Sequence, residues 1–240
     1  MREGGRITAQ ALQAVLRKSD PGVTLLDLEK VAAGEIRDQG GEPAFARVKG
    51  YHFATCLNVN EGVVHGIPTD RKLVEGDILS VDLGTYYRGF NTDASWSIYV
   101  GDHQHAPAEK LKFLATGERA LEKAVAAATI GNFVNDISTA MQQVLEESGY
   151  HPSENLVGHG VGRDLHEDPQ VPCRVLQDHS PKLFAGMVLA IEVIYTEGSP
   201  ELALAEDGWT LATRDGSLSG LFEQTVAITD NGPVTLTEQS

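Results

Sequence analysis

Residues 158–169 read Gly-His-Gly-Val-Gly-Arg-Asp-Leu-His-Glu-Asp-Pro, with two histidines seven residues apart in a glycine-rich segment ended by proline. Glycine at alternate positions lets a backbone bend tightly and approach a neighbouring group closely. Imidazole is the commonest metal-ligating side chain and the one that titrates nearest neutral pH. We therefore expect this segment to deliver His159 and His166 to a fixed point, together with groups from elsewhere in the chain.

The 240-residue chain carries a formal net charge of −15, with 41% hydrophobic and 22% charged residues. This length allows a substantial core, and the composition is ordinary for a globular protein. The acidic balance argues against a protein that binds duplex nucleic acid, which needs a basic surface, and against adhesion to anionic membranes. Most of the acid is therefore interpreted as a solvated surface.

The sequence also bears on the cellular compartment. The first residues lack the apolar core of a signal peptide, and no apolar run reaches the length of a transmembrane helix. Cys56 and Cys173 are too few for a disulfide framework. These features predict a cytoplasmic protein.

Hydrophobic periodicity predicts helices over residues 6–18, 24–38, 107–128 and 134–147. Strand-like segments fill residues 53–101 and continue again from residue 156. The order of helices, strands, helices and strands predicts an α+β fold of two related αβ halves, rather than alternating βαβ units. No strong repeat and no long linker is evident, so we expect residues 1–240 to form a single domain.

Two aspartates lie in strands predicted to form a hairpin, over residues 76–84 and 90–99. If the turn centres on Tyr87 and Arg88, Asp82 and Asp93 lie directly opposite each other on one face, about 4.5–5.5 Å apart. Facing carboxylates repel, so the pair needs a proton or a cation. The spacing also matches a two-metal site, in which the ions lie about 3.5–4 Å apart.

Glu192 interrupts an otherwise apolar strand, residues 187–195, and Glu223 lies in a second strand, residues 221–228. Neither strand contains lysine or arginine. A buried carboxylate is destabilising unless it is paired or coordinated. Each acid alone has an ordinary structural interpretation, but a divalent metal would explain all four together with His159. Carboxylates with one imidazole suit Mn²⁺, Fe²⁺, Co²⁺ or Zn²⁺.

These residues carry a resemblance to the type I methionine aminopeptidases. The matching stretches are residues 58–68, the Asp82 and Asp93 hairpin, and residues 158–171, 186–192, 207–210 and 217–223. They follow in order through essentially the whole chain. The resemblance implies the pita-bread fold, in which two pseudo-symmetric αβ halves form a curved, mainly antiparallel sheet around a dinuclear metal site.

The resemblance also implies a role for each metal ligand. Asp93 and Glu223 would bridge two divalent ions, Asp82 would bind one of them, and His159 and Glu192 the other. A bridging hydroxide would then attack the carbonyl that follows an N-terminal methionine, with Glu192 moving the proton.

Further residues match the substrate-binding positions of this family. His65 and His166 match non-ligand histidines that hydrogen-bond the scissile peptide and its tetrahedral intermediate. Four residues match the walls of the methionine side-chain pocket: Tyr51, Cys56, Leu165 and Trp209. Leu165 departs from the phenylalanine common in bacterial members, and the segment 48–52 before the pocket is also divergent.

The expected substrates are nascent proteins and peptides with an N-terminal methionine and a small second residue. By resemblance we expect a monomer that needs no nucleic acid or membrane, and an association with the ribosome is compatible with the family. An X-Pro peptidase of the same fold normally carries an extra N-terminal domain, and a type II enzyme an insertion in its second half. A non-catalytic peptide- or ribosome-binding relative would lack metal ligands, whereas all are present here.

Overall fold

The computed structural model describes residues 1–176 and 180–238. His179, which has no evident functional companion in the sequence, lies outside these residues. The helices are α1 (Arg2–Lys18), α2 (Leu25–Asp38), α3 (Ala108–Ala127) and α4 (Val134–Glu147). The strands of the first half are β1 (Glu42–Pro43), β2 (Thr55–Val59), β3 (Gly62–Val64), β4 (Ile78–Tyr87) and β5 (Phe90–Tyr99). Those of the second half are β6 (His151–Pro152), β7 (Val157–Gly160), β8 (Glu167–Pro172), β9 (Val188–Thr196), β10 (Leu202–Leu204), β11 (Leu211–Thr213), β12 (Ser219–Thr229) and β13 (Gly232–Thr235).

All four predicted helices are present, and their ends follow local chemistry. The Thr24 hydroxyl caps α2 by accepting the Asp27 N–H at 3.1 Å. Helix α1 begins at Arg2, four residues before the predicted start. Glycine disfavours helix in isolation, but a Cβ on Gly5 would lie 2.1 Å from the Leu236 carbonyl oxygen. Close packing against the C-terminal segment thus outweighs helix propensity here.

Within the described residues, ten strands form one sheet in which every pairing is antiparallel. Its central order is β1-β4-β5-β12-β9-β7-β8, while β10, β11 and β3 form a smaller sheet. Strands β5 and β12 join the two halves, so the centre of the sheet is also their boundary. No helix in the described part of the chain is both long and apolar enough to cross a membrane.

Each half has its own helical layer. Helices α1 and α2 pack Ile7, Leu12 and Leu28 onto Val81 and Leu83 of the first half. Helices α3 and α4 form a second core with strands β9 and β12, in which the largest side chains are Phe113, Ile137, Ile191, Val193 and Phe222. The rings of Trp96 and Phe222 meet edge to face at 5.0 Å and connect the two layers.

The halves are related by a short repeat that the sequence pattern had not revealed. Residues 72–82 (KLVEGDILSVD) align without gaps with residues 182–192 (KLFAGMVLAIE). Lys72 pairs with the residue that precedes α2, and Lys182 with the one that precedes α4. Asp82 and Glu192 are therefore equivalent positions. The repeat is obscured further along because β10 and β11 intervene between β9 and β12.

The helical layer of the second half predicts opposite effects for two helical glycines. Gly117→Ala should lower the melting temperature, because a Cβ there would lie 2.5 Å from the Phe222 ring and 2.6 Å from the Tyr195 hydroxyl. In α2, Gly34 has open space around the same position, so Gly34→Ala should stabilise by up to about 1 kcal/mol. Thermal unfolding of both variants tests this, and stabilisation by Gly117→Ala would contradict the packing.

Candidate functional site

The β4–β5 hairpin corrects one prediction. Its turn lies at Arg88 and Gly89, with φ values of 49° and 88°, so Asp82 faces Ser95 and Asp93 faces Gly84. The predicted direct opposition of Asp82 and Asp93 is therefore wrong. A two-residue hairpin turn with both φ values positive favours glycine at its second position, which selects Arg88-Gly89 over Tyr87-Arg88. The offset of two residues keeps both carboxylates on one face.

The pairing register of the strands places the site residues in two adjacent rows, which run from strand to strand across that face of the sheet. The first row is Cys56, Asp82, Ser95, Glu223 and Glu192, from β2, β4, β5, β12 and β9. The second row is Gly84, Asp93, Thr225, Ala190 and His159, from β4, β5, β12, β9 and β7. Ser95 in the first row, and Thr225 and Ala190 in the second, separate ionisable residues and leave space above the sheet, while Glu223 and Glu192 are direct neighbours.

Strand β7 approaches this face closely, as the glycine pattern predicted. A Cβ on Gly158 would lie 2.5 Å from the Ala190 carbonyl oxygen, and one on Gly160 would lie 2.3 Å from that of Asp168. His159 lies between these glycines. Its Nδ1–H donates to the Gly160 carbonyl at 2.9 Å, and its Nε2 lies 3.8 Å from Glu192 Oε1. The unprotonated Nε2 is thus directed toward the carboxylates, as a metal-ligating imidazole requires.

All eleven sequence-predicted site residues line one cavity of about 120 Å³. They are Tyr51, Cys56, His65, Asp82, Asp93, His159, Leu165, His166, Glu192, Trp209 and Glu223. Phe45, Val48 and Val64 line it as well, although none of them was predicted as a site residue. Phe45 belongs to a 3₁₀ turn, Phe45–Arg47, held near the sheet by the Ala44 N–H, which donates to the Gly84 carbonyl at 2.9 Å.

The acids of the cavity fit a metal centre. Asp82 Oδ1, Asp93 Oδ1 and Glu223 Oε1 are buried without a hydrogen-bond partner among the described residues. Ligand atoms of Asp93, His159 and Glu223 all lie within 4.8 Å of one another. Burial without a partner is destabilising for a carboxylate. Divalent cations would satisfy these oxygens, and the oxygen and imidazole donors suit Mn²⁺, Fe²⁺, Co²⁺ or Zn²⁺.

Electrostatics in the metal-free cavity favour the neutral forms. Burial, together with the charges of neighbouring acids, raises the pKa of Asp82, Glu192 and Glu223 well above the usual range. Burial raises the pKa of Asp93 to about 7, despite the Ala94 N–H that favours its ionised form. Burial also lowers the pKa of His159 to about 4, so this imidazole is neutral and able to ligate at neutral pH.

Two other histidines stand at the mouth of the cavity. His65 has a left-handed backbone with φ of 59°, an uncommon conformation for a non-glycine residue. The His166 ring lies 4.4 Å from that of His159. Burial lowers the pKa of His65 and of His166. Each can therefore donate one N–H as a neutral imidazole.

The apolar side of the cavity is formed by Tyr51, Cys56, Leu165 and Trp209 with Phe45. Tyr51 and Trp209 meet edge to face at 5.1 Å, and the Tyr51 hydroxyl donates to the Thr55 carbonyl at 2.7 Å. Burial raises the pKa of the Cys56 thiol well above its usual range, so it remains neutral. Aromatic walls with a neutral thiol suit an apolar, sulfur-containing side chain.

Comparisons with known proteins agree with this geometry. Residues 1–230 match metallopeptidase family M24. The methionine aminopeptidase of Clostridium perfringens is 40% identical over 237 residues, which cover 99% of this chain and 94% of that protein. The chain belongs to the methionine aminopeptidases of family M24.

Solved structures identify the fold. The crystal structure of a methionine aminopeptidase from Thermotoga maritima superposes with a TM-score of 0.95 at 39% identity, covering 99% of this chain and 95% of that one. Prolidase from Pyrococcus furiosus has a TM-score of 0.79 at 23% identity and matches over 63% of its own length, a likeness of fold alone. The chain thus has the pita-bread fold that its sequence resemblance implies.

The raised carboxylate pKa values predict how metal-free stability depends on pH. The folded pKa of Asp93, about 7, exceeds the ordinary aspartate value of 3.8, so the folded state binds more protons and stability falls as pH rises through that window. Each pKa unit corresponds to about 1.4 kcal/mol, or roughly 3–5 °C of melting temperature in a chain of this size. Calorimetry of the chelator-treated protein between pH 5 and 8 should show this decline, and Asp93→Asn should reduce it.

The matched control is Asp77→Asn. Asp77 is also buried, but it accepts hydrogen bonds from Asn60 and the Val74 N–H outside the cavity. This variant should retain the wild-type decline. Equal declines in Asp93→Asn and wild type would contradict the electrostatic assignment.

Proposed function

We propose that the chain removes the N-terminal methionine from nascent proteins and peptides by hydrolysis at a centre of two divalent ions. One observation carries the proposal. Two buried acids, two partly exposed acids, an imidazole with a free Nε2, two further histidines and an aromatic pocket containing a thiol all line a single cavity. We further propose that residues 1–240 form one catalytic domain.

The rows of the sheet support a division of the ligands between two ions. Asp93 and Glu223 lie on the two central strands and are proposed to bind both ions. Asp82 lies on the β4 side and would hold one ion, while His159 and Glu192 lie on the opposite side and would hold the other. When bound, such ions supply a water molecule that is nucleophilic at neutral pH and polarise the carbonyl under attack.

The chain's own residues then orient the peptide and move the proton. Glu192, whose Oε1 lies 3.8 Å from His159 Nε2 in the cavity, would as a carboxylate beside the ions take a proton from the attacking water and pass it to the leaving amine. His65 and His166 would donate hydrogen bonds to the scissile peptide and to the charge that develops on its carbonyl oxygen. The apolar wall of Tyr51 and Trp209 would hold the methionine side chain.

The proposal extends to substrate choice and cellular setting. The residue after the methionine would enter the opening between His65 and His166, so a small second residue should be preferred. Because new N-terminal methionines arise on ribosomes, the proposed location is the cytoplasm, where a monomer would act on chains at or near the ribosome. We expect no direct contact of the chain with nucleic acid or with a membrane.

Methionine release from Met-Ala-Ser and Met-Leu-Ser peptides tests this function. After metal removal, the protein would be titrated with Co²⁺, Mn²⁺, Fe²⁺ or Zn²⁺. We expect metal-dependent release from Met-Ala-Ser and little from Met-Leu-Ser. Asp93→Ala should lower kcat/KM by at least about 100-fold, because loss of a shared ligand should exceed the effect of outer-shell changes.

Asp77→Asn again serves as the control and should retain activity. No release with any metal by a folded wild-type protein would contradict the enzymatic function. It would leave the non-catalytic peptide-binding alternative, to be measured by calorimetry with the same peptides.

Glu29 of α2 has no place in the chemistry but anchors the pocket wall. One carboxylate oxygen accepts the Ala54 N–H at 2.7 Å, and the other accepts the Thr55 N–H at 3.0 Å and the Thr55 hydroxyl at 2.7 Å. The Thr55 carbonyl in turn accepts the Tyr51 hydroxyl. Glu29 therefore fixes the segment that positions Tyr51.

Glu29→Gln should raise KM for Met-Ala-Ser about tenfold, equivalent to about 1.4 kcal/mol, with a smaller effect on kcat. The amide has only one accepting oxygen, so at least one of the three donors loses its partner. Steady-state kinetics of this variant would be compared with Glu35→Gln, a change at an exposed position of the same helix. An unchanged KM, or an equal change in Glu35→Gln, would refute the anchoring role.

A further inference from the structure

We infer that Asn91 is a positioning residue for His166, an inference that rests on the proposed function of the cavity. Asn91 is 4% exposed and lies in β5, two residues before Asp93. By the alternation of the strand, its side chain is on the same face as Asp93. It does not line the cavity.

The Asn91 amide group reaches the segment that carries His166. Its Nδ2 donates to the Gly162 carbonyl at 3.2 Å and to the Arg163 carbonyl at 3.0 Å. Its main-chain N–H also donates to the Gly162 carbonyl, at 2.7 Å. One residue of the first half thus makes three hydrogen bonds to two successive carbonyl groups of the second half.

His166 depends on its backbone for its position. Within the described residues its ring makes no hydrogen bond and lies 4.4 Å from the His159 ring. The residue is exposed at the mouth of the cavity. Between the Asn91 anchor and β8, the segment has a local bond from the Asp164 N–H to Glu167 Oε1 at 2.9 Å. The flanks of this segment are held separately, by the Val161 N–H, which donates to the Val188 carbonyl at 3.0 Å, and by the pairing of Glu167 with Gly160. Among the described residues, the hydrogen bonds that tie the stretch between these flanks to the first half come from Asn91.

The chemistry of the amide suits this role. Two carbonyl oxygens side by side require a group with two donors, and an asparagine NH₂ supplies both. An aspartate has the same shape but, when ionised, only accepts hydrogen bonds. Asn91→Asp would therefore break both side-chain bonds while leaving the main-chain bond between β5 and Gly162 in place.

The test measures kcat and KM for Met-Ala-Ser in Asn91→Asp, with and without His166→Ala. Small displacements of a catalytic group can lower rates by about 10²-fold, and we expect Asn91→Asp to lower kcat at least about tenfold. In the His166→Ala background, the same substitution should have less than about a twofold further effect, because residues acting through one group are not additive.

The matched control is Asn132→Asp. Its Nδ2 donates to the Ala127 carbonyl at 2.9 Å in the α3–α4 connection, and neither residue lines the cavity. This variant should keep kcat within about twofold of wild type. Asn91→Ser retains one donor, so its loss of kcat should be smaller than that of Asn91→Asp. If Asn91→Asp does not fold, Asn91→Ser takes its place in the test.

A wild-type kcat in folded Asn91→Asp, or equal losses in both His166 backgrounds, would overturn the inference. If wild-type protein itself releases no methionine, the proposed function fails separately. Amide hydrogen exchange over residues 163–168 then decides the positioning role. Faster exchange in Asn91→Asp than in wild type and Asn132→Asp supports the anchor, and unchanged exchange refutes it.

Discussion

The register between β5 and β12 is the constraint on which the site depends. Ser97 Oγ accepts the Leu221 N–H and donates to the Leu221 carbonyl, each at 2.9 Å. Thr225 Oγ1 likewise accepts the Asp93 N–H at 2.8 Å and donates to the Asp93 carbonyl at 2.7 Å. A slip of one residue would move Asp93 or Glu223 to the helical side of the sheet. Side-chain hydroxyls thus hold together the two halves that supply the shared acids.

The same alignment concentrates negative charge where water is excluded. Glu223 lies opposite Glu192 and close to Asp93. Burial and the repulsion between these carboxylates raise their pKa values. In an ordinary sheet interior, apolar residues would occupy these positions and the repulsion between carboxylates would not arise. Here the acids are present, and small residues such as Ser95 and Ala190 leave space beside them. The destabilising charge and the affinity for cations therefore have one physical origin.

Much of this arrangement was readable from the sequence, because burial of charge is rare. Glu192 and Glu223 stood out within apolar strands, and the glycines around His159 indicated close approach. The pairing of Asp82 and Asp93 was wrongly predicted because one residue in the turn sets the whole register. Phe45 was not predicted, since the 3₁₀ turn that carries it is too short to give a periodic sequence pattern.

The pseudo-symmetry of the halves explains the acids but not the selectivity. Asp82 and Glu192 occupy equivalent positions, so two repeats alone would build a symmetric cavity with no preferred direction for a peptide. Trp209 lies between β10 and β11, which have no counterpart between β4 and β5, and it packs against Tyr51 of the first half. His159 likewise comes only from the second half, since Asn58 takes the equivalent place in the first. The symmetrically placed acids on the sheet would bind the ions. The side chains that only one half supplies would orient the substrate.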